Sequence, residues 1–563
     1  MTTTSKLRPY QREALDAIHE RLAVDQSTLA VLATGTGKTQ IFCHLIQERL
    51  KQGRAMIVAH RDELIGQAAH RIESIVGQKA DIEMAERWAG DGTMHGGAPI
   101  VVASIQSLCS GERLSRFNPD EFATLIIDEA HHAVANTYLR VLEHFRTSSI
   151  IRILGVTATP DRKDEEALGQ VFQSVAYDYE IIDAVIDGWL VRPLCRTVKL
   201  HGLDLSGVRT VAGEFNGRDL ANELSKNQNL EAIAAAIIEN SGDRRTLVFS
   251  DSITESVVED DVRTVYEGNA PKLTVMLNGH KPDSARLIHG GTPREERHDI
   301  IDAYRDGKFQ YLVNVGIATE GFDVPDISCV VLARPTKSRA LCSQMCGRGT
   351  RPASALAELL NDLPNDVARR QAIAESTKPS LLIIDFVDNT ERHDLIHPPD
   401  ILGGRVSSRA VEQVEKECQG LPTDIIAALE RVECEIRHND ELAAAARDRQ
   451  GVKAVSQKKD KDPFAIYGLI RREHRGWEKD NPMTVAQREK MEKWKIKKAE
   501  TLTGSEAQQI IQEVQRRAQG GLLTLNQERV LKRYGYQTEH MSYETAHGLM
   551  DKLAANNWVK VKA

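Results

Sequence analysis

The residue types best suited to handling phosphate occur in LATGTGKT, Leu32 to Thr39. A loop of the form G-x-x-x-x-G-K-[ST] offers phosphates the backbone N–H groups of a helix N-terminus. Its lysine reaches the β/γ oxygens, and its Ser/Thr hydroxyl can bind Mg²⁺. Thr34, Gly35, Thr36, Gly37, Lys38 and Thr39 fit this cradle, although Leu32 stands where the pattern asks for glycine. That first glycine shapes the approach to the loop and not the cradle, so a nucleotide site is still expected. Asp128-Glu129 closes the apolar run TLIID. Asp128 is suited to holding Mg²⁺ through water, and Glu129 to orienting an attacking water as general base. Further on, QMCGRGTRP spaces Arg348 and Arg351 three apart, which on a predicted helix would turn both to one side. Arginines reaching across a cleft stabilise charge on a γ-phosphoryl group; taken alone, such a pair also fits a surface ion-pair role.

These residues need rigid elements behind them. Short apolar runs at 28–33, 55–60, 99–104, 124–128 and 152–159 read as buried strands separated by helical patterns. A second series follows at 246–250, 285–290, 311–316, 329–334 and 380–386. Runs of this kind predict parallel sheets with helices on both faces, and two series predict two α/β domains, residues 1–190 and 191–395. After them, 396–480 reads as a polar linker, helical in places. In 481–563 a repeat appears: Thr484-x-x-Gln487 recurs as Thr524-x-x-Gln527, and LTGSEAQQII (502–511) as MSYETAHGLM (541–550). Thr followed by Gln three places on is a helix-capping box, so two copies of a helix pair are predicted. Trp494, Tyr534 and Trp558 lie among Lys493, Lys495, Lys497, Lys498, Arg533 and Lys560. That mixture suits phosphate contact with base stacking, and equally a small module core with a solvated basic face.

With 41% hydrophobic and 27% charged residues the chain reads as soluble and globular. No run reaches the ~20 apolar residues of a membrane span, and MTTTSKLRPYQ lacks an apolar signal core. The eight cysteines form no C-x-x-C pair. Together these predict a cytoplasmic protein without membrane contact. The net charge of −8 argues against a uniformly basic nucleic-acid binder, but 453–500 holds fourteen Lys or Arg against eight Asp or Glu, a local +6. Such a run is either a solvated linker or a nucleic-acid contact.

Taken in order, the motifs resemble the superfamily-two helicases over about residues 6–390: LRPYQ (7–11), ATGTGKT (33–39), AHRDELIGQ (59–67), VASIQSL (102–108), DEAHH (128–132), TATP (157–160), HGGT (289–292), ATEGFDVP (318–325) and QMCGRGTR (344–351). The resemblance implies two RecA-like, P-loop NTPase domains followed by a mostly helical C-terminal region. It implies ATP with Mg²⁺, and movement along nucleic acid. It gives Gln11 to adenine and makes Gly321 and Asp323 sensors of ATP. Thr157 and Thr159 would couple the nucleotide to the track, and Arg348, Arg351 and Gln344 would complete the site. His60, Arg61, Ser104, Gln106, Thr292 and Thr319 lie in motifs that touch the nucleic-acid backbone.

DEAH with TAT and Q-x-x-G-R-G-x-R is similar to the DNA-acting branch, and LRPYQREALDAI, FNGRDLANEL (215–224) and FQYLVNVGIATEGFDVPDI (309–327) resemble the bacterial RadD repair helicases. Those end in a cysteine-rich zinc-binding tail, where this chain has its repeat. The expected activity is therefore an ATP-dependent DNA helicase or translocase acting on single-stranded or branched DNA in repair or recombination, with the tail available to DNA or a partner protein. A restriction- or defence-type translocase, an RNA remodeller and a nucleotide-gated clamp are the alternatives.

Overall fold

The computed structural model describes residues 7–387 and 396–450, apart from 61, 91–96, 159–161, 201–202, 212–213, 260–261, 318–321, 323, 403–405 and 420. It then describes Phe464, 483–519 apart from 495, 497 and 498, and 521–555 apart from 525, 526, 529, 532, 533, 535, 537, 539 and 540.

The first sheet contains β1 (Ser27–Leu32), β2 (Arg54–Ala59), β3 (Asp81–Glu83), β4 (Ile100–Ser104), β5 (Phe122–Asp128), β6 (Arg152–Thr157) and β7 (Ser174–Tyr179). Its order is β3-β4-β2-β5-β6-β1-β7, with every pair parallel. β1 is buried along its whole length because helices cover both faces, which is why it reads as an unbroken apolar run. This order brings the carboxyl ends of β1 and β5 close to each other on either side of β6. The loop after β1 and Asp128-Glu129 after β5 thus share one sheet edge, the usual ligand position of an open parallel sheet.

The second sheet contains β8 (Arg192–Lys199), β11 (Thr246–Phe249), β14 (Ala285–His289), β15 (Tyr311–Val315), β16 (Cys329–Leu332), β17 (Ser380–Val387) and β18 (Thr423–Asp424). Its order is β14-β15-β11-β16-β17-β8-β18, parallel except for β18. Two small hairpins, β9–β10 (Thr210–Val211, Glu214–Phe215) and β12–β13 (Thr254–Glu259, Val262–Glu267), stand apart from it. The architecture is that of two RecA-like domains followed by a mainly helical region.

The segment expected as a linker differs from expectation over its described part. Helices Pro398–Leu402, Ser408–Glu417 and Ile425–Gln450 follow one another, and Thr423–Asp424 adds an antiparallel edge to β8. Leu402, Ala410, Val414, Ile425, Leu429 and Val432 are buried in the large core. Their i, i+4, i+7 spacing was obscured by the many charges on the opposite face.

Both capping boxes of the tail form. The Thr484 and Gln487 side chains each bond the other's backbone, and so do those of Thr524 and Gln527. The first helix pair lies beside the first domain. Lys490 faces Glu13, Gln512 lies beside the Tyr177 hydroxyl, and Arg516 sits in the field of Asp187 and Asp366. Trp494 packs on the small core of Met491, Leu502 and Ile510, and Tyr534 on that of Leu523, Leu531 and Leu553. For these two aromatics the structure favours module core over base stacking; Lys495, Lys497, Lys498, Arg533, Trp558 and Lys560 lie outside the described residues.

The chain crosses between the domains at residues 187–191. Arg369 Nε donates to the Asp187 carbonyl at 2.8 Å, and the Val191 N–H donates to the Thr350 carbonyl at 2.8 Å. Gly188 takes φ +73°, where a β-carbon would also lie 2.8 Å from that of Arg369. Tyr179 Oη donates to the Asp187 carboxylate at 2.7 Å. Burial raises this carboxyl to about 6, with Asp183 and Asp366 adding to the rise and Tyr179 and Arg369 opposing it. A carboxyl raised in the folded state costs stability as pH climbs from its ordinary 3.8 through about 6. Asp187→Asn is therefore expected to stabilise the protein by about 1–3 kcal/mol above the raised value and to give no gain below the ordinary one. Urea unfolding at both ends of that range measures it.

Candidate active site

Leu32 is the last residue of β1, fully buried and paired with Tyr179. The strand simply runs on through the position where the pattern asks for glycine, and the loop proper begins at Ala33. Gly35 and Gly37 take φ +90° and +82°, a left-handed backbone that favours glycine. The helix Lys38–Arg49 starts at once behind them, leaving its first N–H groups facing the loop. From the helix Pro9–Val24, Tyr10 Oη and Gln11 Nε2 both donate to the Thr36 carbonyl, at 2.6 and 2.9 Å. The Gln11 Oε1 accepts the Arg8 N–H. Gln11, expected to read adenine, is thus engaged at both ends with backbone and braces the phosphate loop. The Tyr10 ring stacks on Tyr179 at 4.5 Å.

Lys38 Nζ donates to Glu129 Oε1 at 3.1 Å, with both side chains largely buried. Glu129 itself has φ +48° and ψ +54°, an uncommon conformation for a side-chain-bearing residue. Burial alone would raise its carboxyl, but Lys38, His131 and Arg348 outweigh that and bring it down to about 2. The group is a fixed carboxylate. His131 Nδ1 lies 3.4 Å from Glu129 and 3.1 Å from Thr157 Oγ1, so DEAH and TAT motifs meet at one imidazole. Thr39, in the first turn of the helix, and Asp128, whose Oδ1 accepts the Glu129 N–H, supply the oxygen donors that Mg²⁺ prefers. Among the described residues no cluster of three or more His, Cys, Asp or Glu is placed to hold a metal ion.

The second domain reaches this loop directly. The helix carrying Gln344 ends at Gly347; Arg348 is its C-cap and Arg351 lies beyond it. The two arginines therefore do not share a helix face, contrary to expectation, because two glycines interrupt the helix. Both glycines are required by close approach. A β-carbon on Gly347 would lie 2.6 Å from the Thr34 β-carbon, and one on Gly349 would lie 2.3 Å from a Leu381 methyl. The Arg351 side chain passes Gly35, with Cγ 3.2 Å from where a β-carbon would sit. Arg348 Nη1 donates to the Phe322 carbonyl, and its charge reaches Glu129. Gln344 is buried. Gly321, Asp323 and Thr159 fall outside the described residues.

Of the residues expected at the nucleic-acid backbone, three come together. Ser104 Oγ donates to Gln106 Oε1 at 2.6 Å, and Gln106 Nε2 donates to the His60 carbonyl at 3.0 Å. The His60 ring lies 5.0 Å from His132, which in turn lies 4.1 Å from His131. A continuous line of imidazoles therefore joins this cluster to Glu129. His131 and His132 were visible in the sequence motif but carried no assigned role there. Thr292 is separate, on the second domain, where its hydroxyl accepts the His289 N–H within its own turn. Arg61 and Thr319 fall outside the described residues.

Residues 4–162 match the family model described as type III restriction enzyme, res subunit, and residues 225–353 match the helicase conserved C-terminal domain. The two matched spans fall on the first and second α/β domains respectively. IRC3 of Saccharomyces cerevisiae, named as an ATP-dependent helicase, is 33% identical over 361 residues, covering 61% of this chain and 49% of that protein. Schizosaccharomyces pombe irc3, named as a mitochondrial ATP-dependent helicase, is 34% identical over 409 residues, covering 71% and 60%. The chain thus spans about half to three-fifths of these relatives' length. The DNA 3'-5' translocase XPB2 of Sulfurisphaera tokodaii is 24% identical, with 61% of this chain and 78% of that protein covered. No described helix is long and apolar enough to cross a membrane.

Substitutions at this site have distinct expected outcomes. Lys38→Ala should abolish turnover, whereas Glu129→Gln should bind ATP and fail to release phosphate; isotope-labelled nucleotide retained on a filter separates them. Gly347→Ala should slow turnover by about 10²-fold, because a methyl group wedged on Thr34 misplaces the cross-cleft groups, and misplacements of about 1 Å have that cost. Adding Thr34→Gly should recover part of the loss in steady-state ATPase assays.

Proposed function

We propose that the chain is an ATP-dependent DNA helicase or translocase, a DNA-stimulated ATPase that remodels single-stranded or branched DNA in repair or recombination. The observation that carries the reading is the joined line from the Lys38–Glu129 pair through His131 and His132 to His60, Gln106 and Ser104. It gives nucleic acid a physical route to the hydrolytic carboxylate. The DNA preference is supported by the DEAH and TAT motifs and by the likeness to the DNA 3'-5' translocase XPB2.

The geometry suggests an order of events. Without nucleotide, Lys38 neutralises Glu129 and keeps it a weak base. The β/γ phosphates of ATP compete for Lys38 and draw it away. Glu129 then loses its strongest partner, so its basicity rises just when a water needs orienting. Thr39 and Asp128 would hold Mg²⁺, which when bound draws charge from the phosphate oxygens. Arg351, passing Gly35, and Arg348, whose charge reaches Glu129, act on the γ-phosphoryl group when the domains close. Hydrolysis removes the group that holds them, the cleft relaxes, and the two domains shift along the strand.

A second reading, translocation on duplex without strand separation, is favoured by the match to the restriction-subunit model. ATPase stimulation by single strands, forks, duplex and RNA, together with strand-displacement and triplex-displacement assays, decides among them. Fork-stimulated hydrolysis with strand displacement is expected. Stimulation by RNA alone would overturn the DNA reading, and triplex displacement without unwinding would favour the second. Arg351→Ala should lower stimulated kcat by about 10³-fold while ATP affinity stays within about tenfold. An equal loss of binding and turnover would make it a ground-state phosphate contact instead.

A further inference from the structure

We propose that Lys378 is a positioning residue for hydrolysis, a buried two-way donor that fixes the backbone of Arg351 against the loop preceding β16. The inference rests on the reading of Arg351 above. Lys378 stands two residues before β17, at the amino end of a central strand, and is 2% exposed. Its Nζ donates to the Arg351 carbonyl and to the Pro325 carbonyl, each at 2.5 Å. One amino group thus ties together the two segments of the second domain that carry ATEGFDVP and QMCGRGTR.

The surroundings make this junction stiff. Asp326, next to Pro325, accepts both the Ser354 N–H at 3.0 Å and the Ser354 hydroxyl at 2.8 Å. Chain on either side of Arg351 is therefore held: Thr350 by the Val191 N–H, Arg351 by Lys378, Ser354 by Asp326. Past Gly347 no helix remains to orient Arg351, so these bonds do what a helix would otherwise do. Charge is not the reason for a lysine here. Burial lowers its ammonium to about 7, Arg351 adds to the fall and Asp326 opposes it. A neutral amine still has two N–H donors, one for each carbonyl. Without them two buried carbonyls lose a partner, and the arginine segment can drift from Gly35.

A double-mutant cycle tests this in the full chain. Lys378→Met should lower DNA-stimulated kcat about tenfold or more, with the KM for ATP within about threefold, since an interaction made only in the transition state is lost. In an Arg351→Ala background the same change should cost nothing further, because its effect passes through that side chain. Thermal unfolding confirms that each variant is folded. Should Lys378→Met fail to fold, Lys378→Gln, which can still serve one carbonyl, enters the same cycle. Unchanged kcat in the Lys378 variant, or an equal loss with and without Arg351, would overturn the positioning role alone. Full turnover by Arg351→Ala would overturn the reading of Arg351 and this inference with it.

Discussion

Lys38 and Glu129 are two opposite charges held 3.1 Å apart with little water around them. Such a pair is costly to desolvate and costlier to break, since removing one partner strands the other, at about 3–5 kcal/mol. Much of the first domain serves to hold it. The helix behind Lys38 begins where two left-handed glycines release the loop, and Tyr10 and Gln11 clamp that loop from a separate helix. On the other side β5 delivers Glu129 in a strained backbone conformation. In the proposed cycle this pair is exchanged: an incoming phosphate takes the carboxylate's place on Lys38, and the released carboxylate becomes available for chemistry.

The second domain depends on the same spot through contact distance. Gly347 meets Thr34 and Arg351 passes Gly35, so the closure seen here is set by two places where side chains are missing. Glycine is used for what it lacks, and it ends the helix as a side effect. That explains why the arginines stand at a capped end and in a loop, with hydrogen bonds donated by Val191 and Lys378 and accepted by Asp326 around them.

Much of the sheet framework was legible in the sequence because central parallel strands are apolar on both faces. TLIID and TLVFS could be found by composition alone. SVAYDY and RPLCRTVK could not: β7 alternates at a sheet edge, and β8 keeps half-exposed polar residues beside a two-residue edge strand. The residues of the phosphate loop and the DEAH motif were legible because their chemistry is local. Gln11 on Thr36, His131 on Thr157 and Lys378 on Arg351 were not, since each joins groups 25 or more positions apart, and no spacing rule reports a fold-dependent contact. The helical span after residue 398 was hidden differently, by a charged outer face that outweighed its buried stripe.

The first helix pair of the tail stands beside Tyr177 and brings its charges within reach of Glu13 in the first domain, Asp187 at the crossing and Asp366 in the second. It lies across the hinge as a splint lies across a joint. The two domains cannot change their angle without the splint following one of them or sliding over the other. If the domains move as in the proposed cycle, a change at the crossing would therefore be felt by the far helix pair, and a load on that pair would be felt at the crossing.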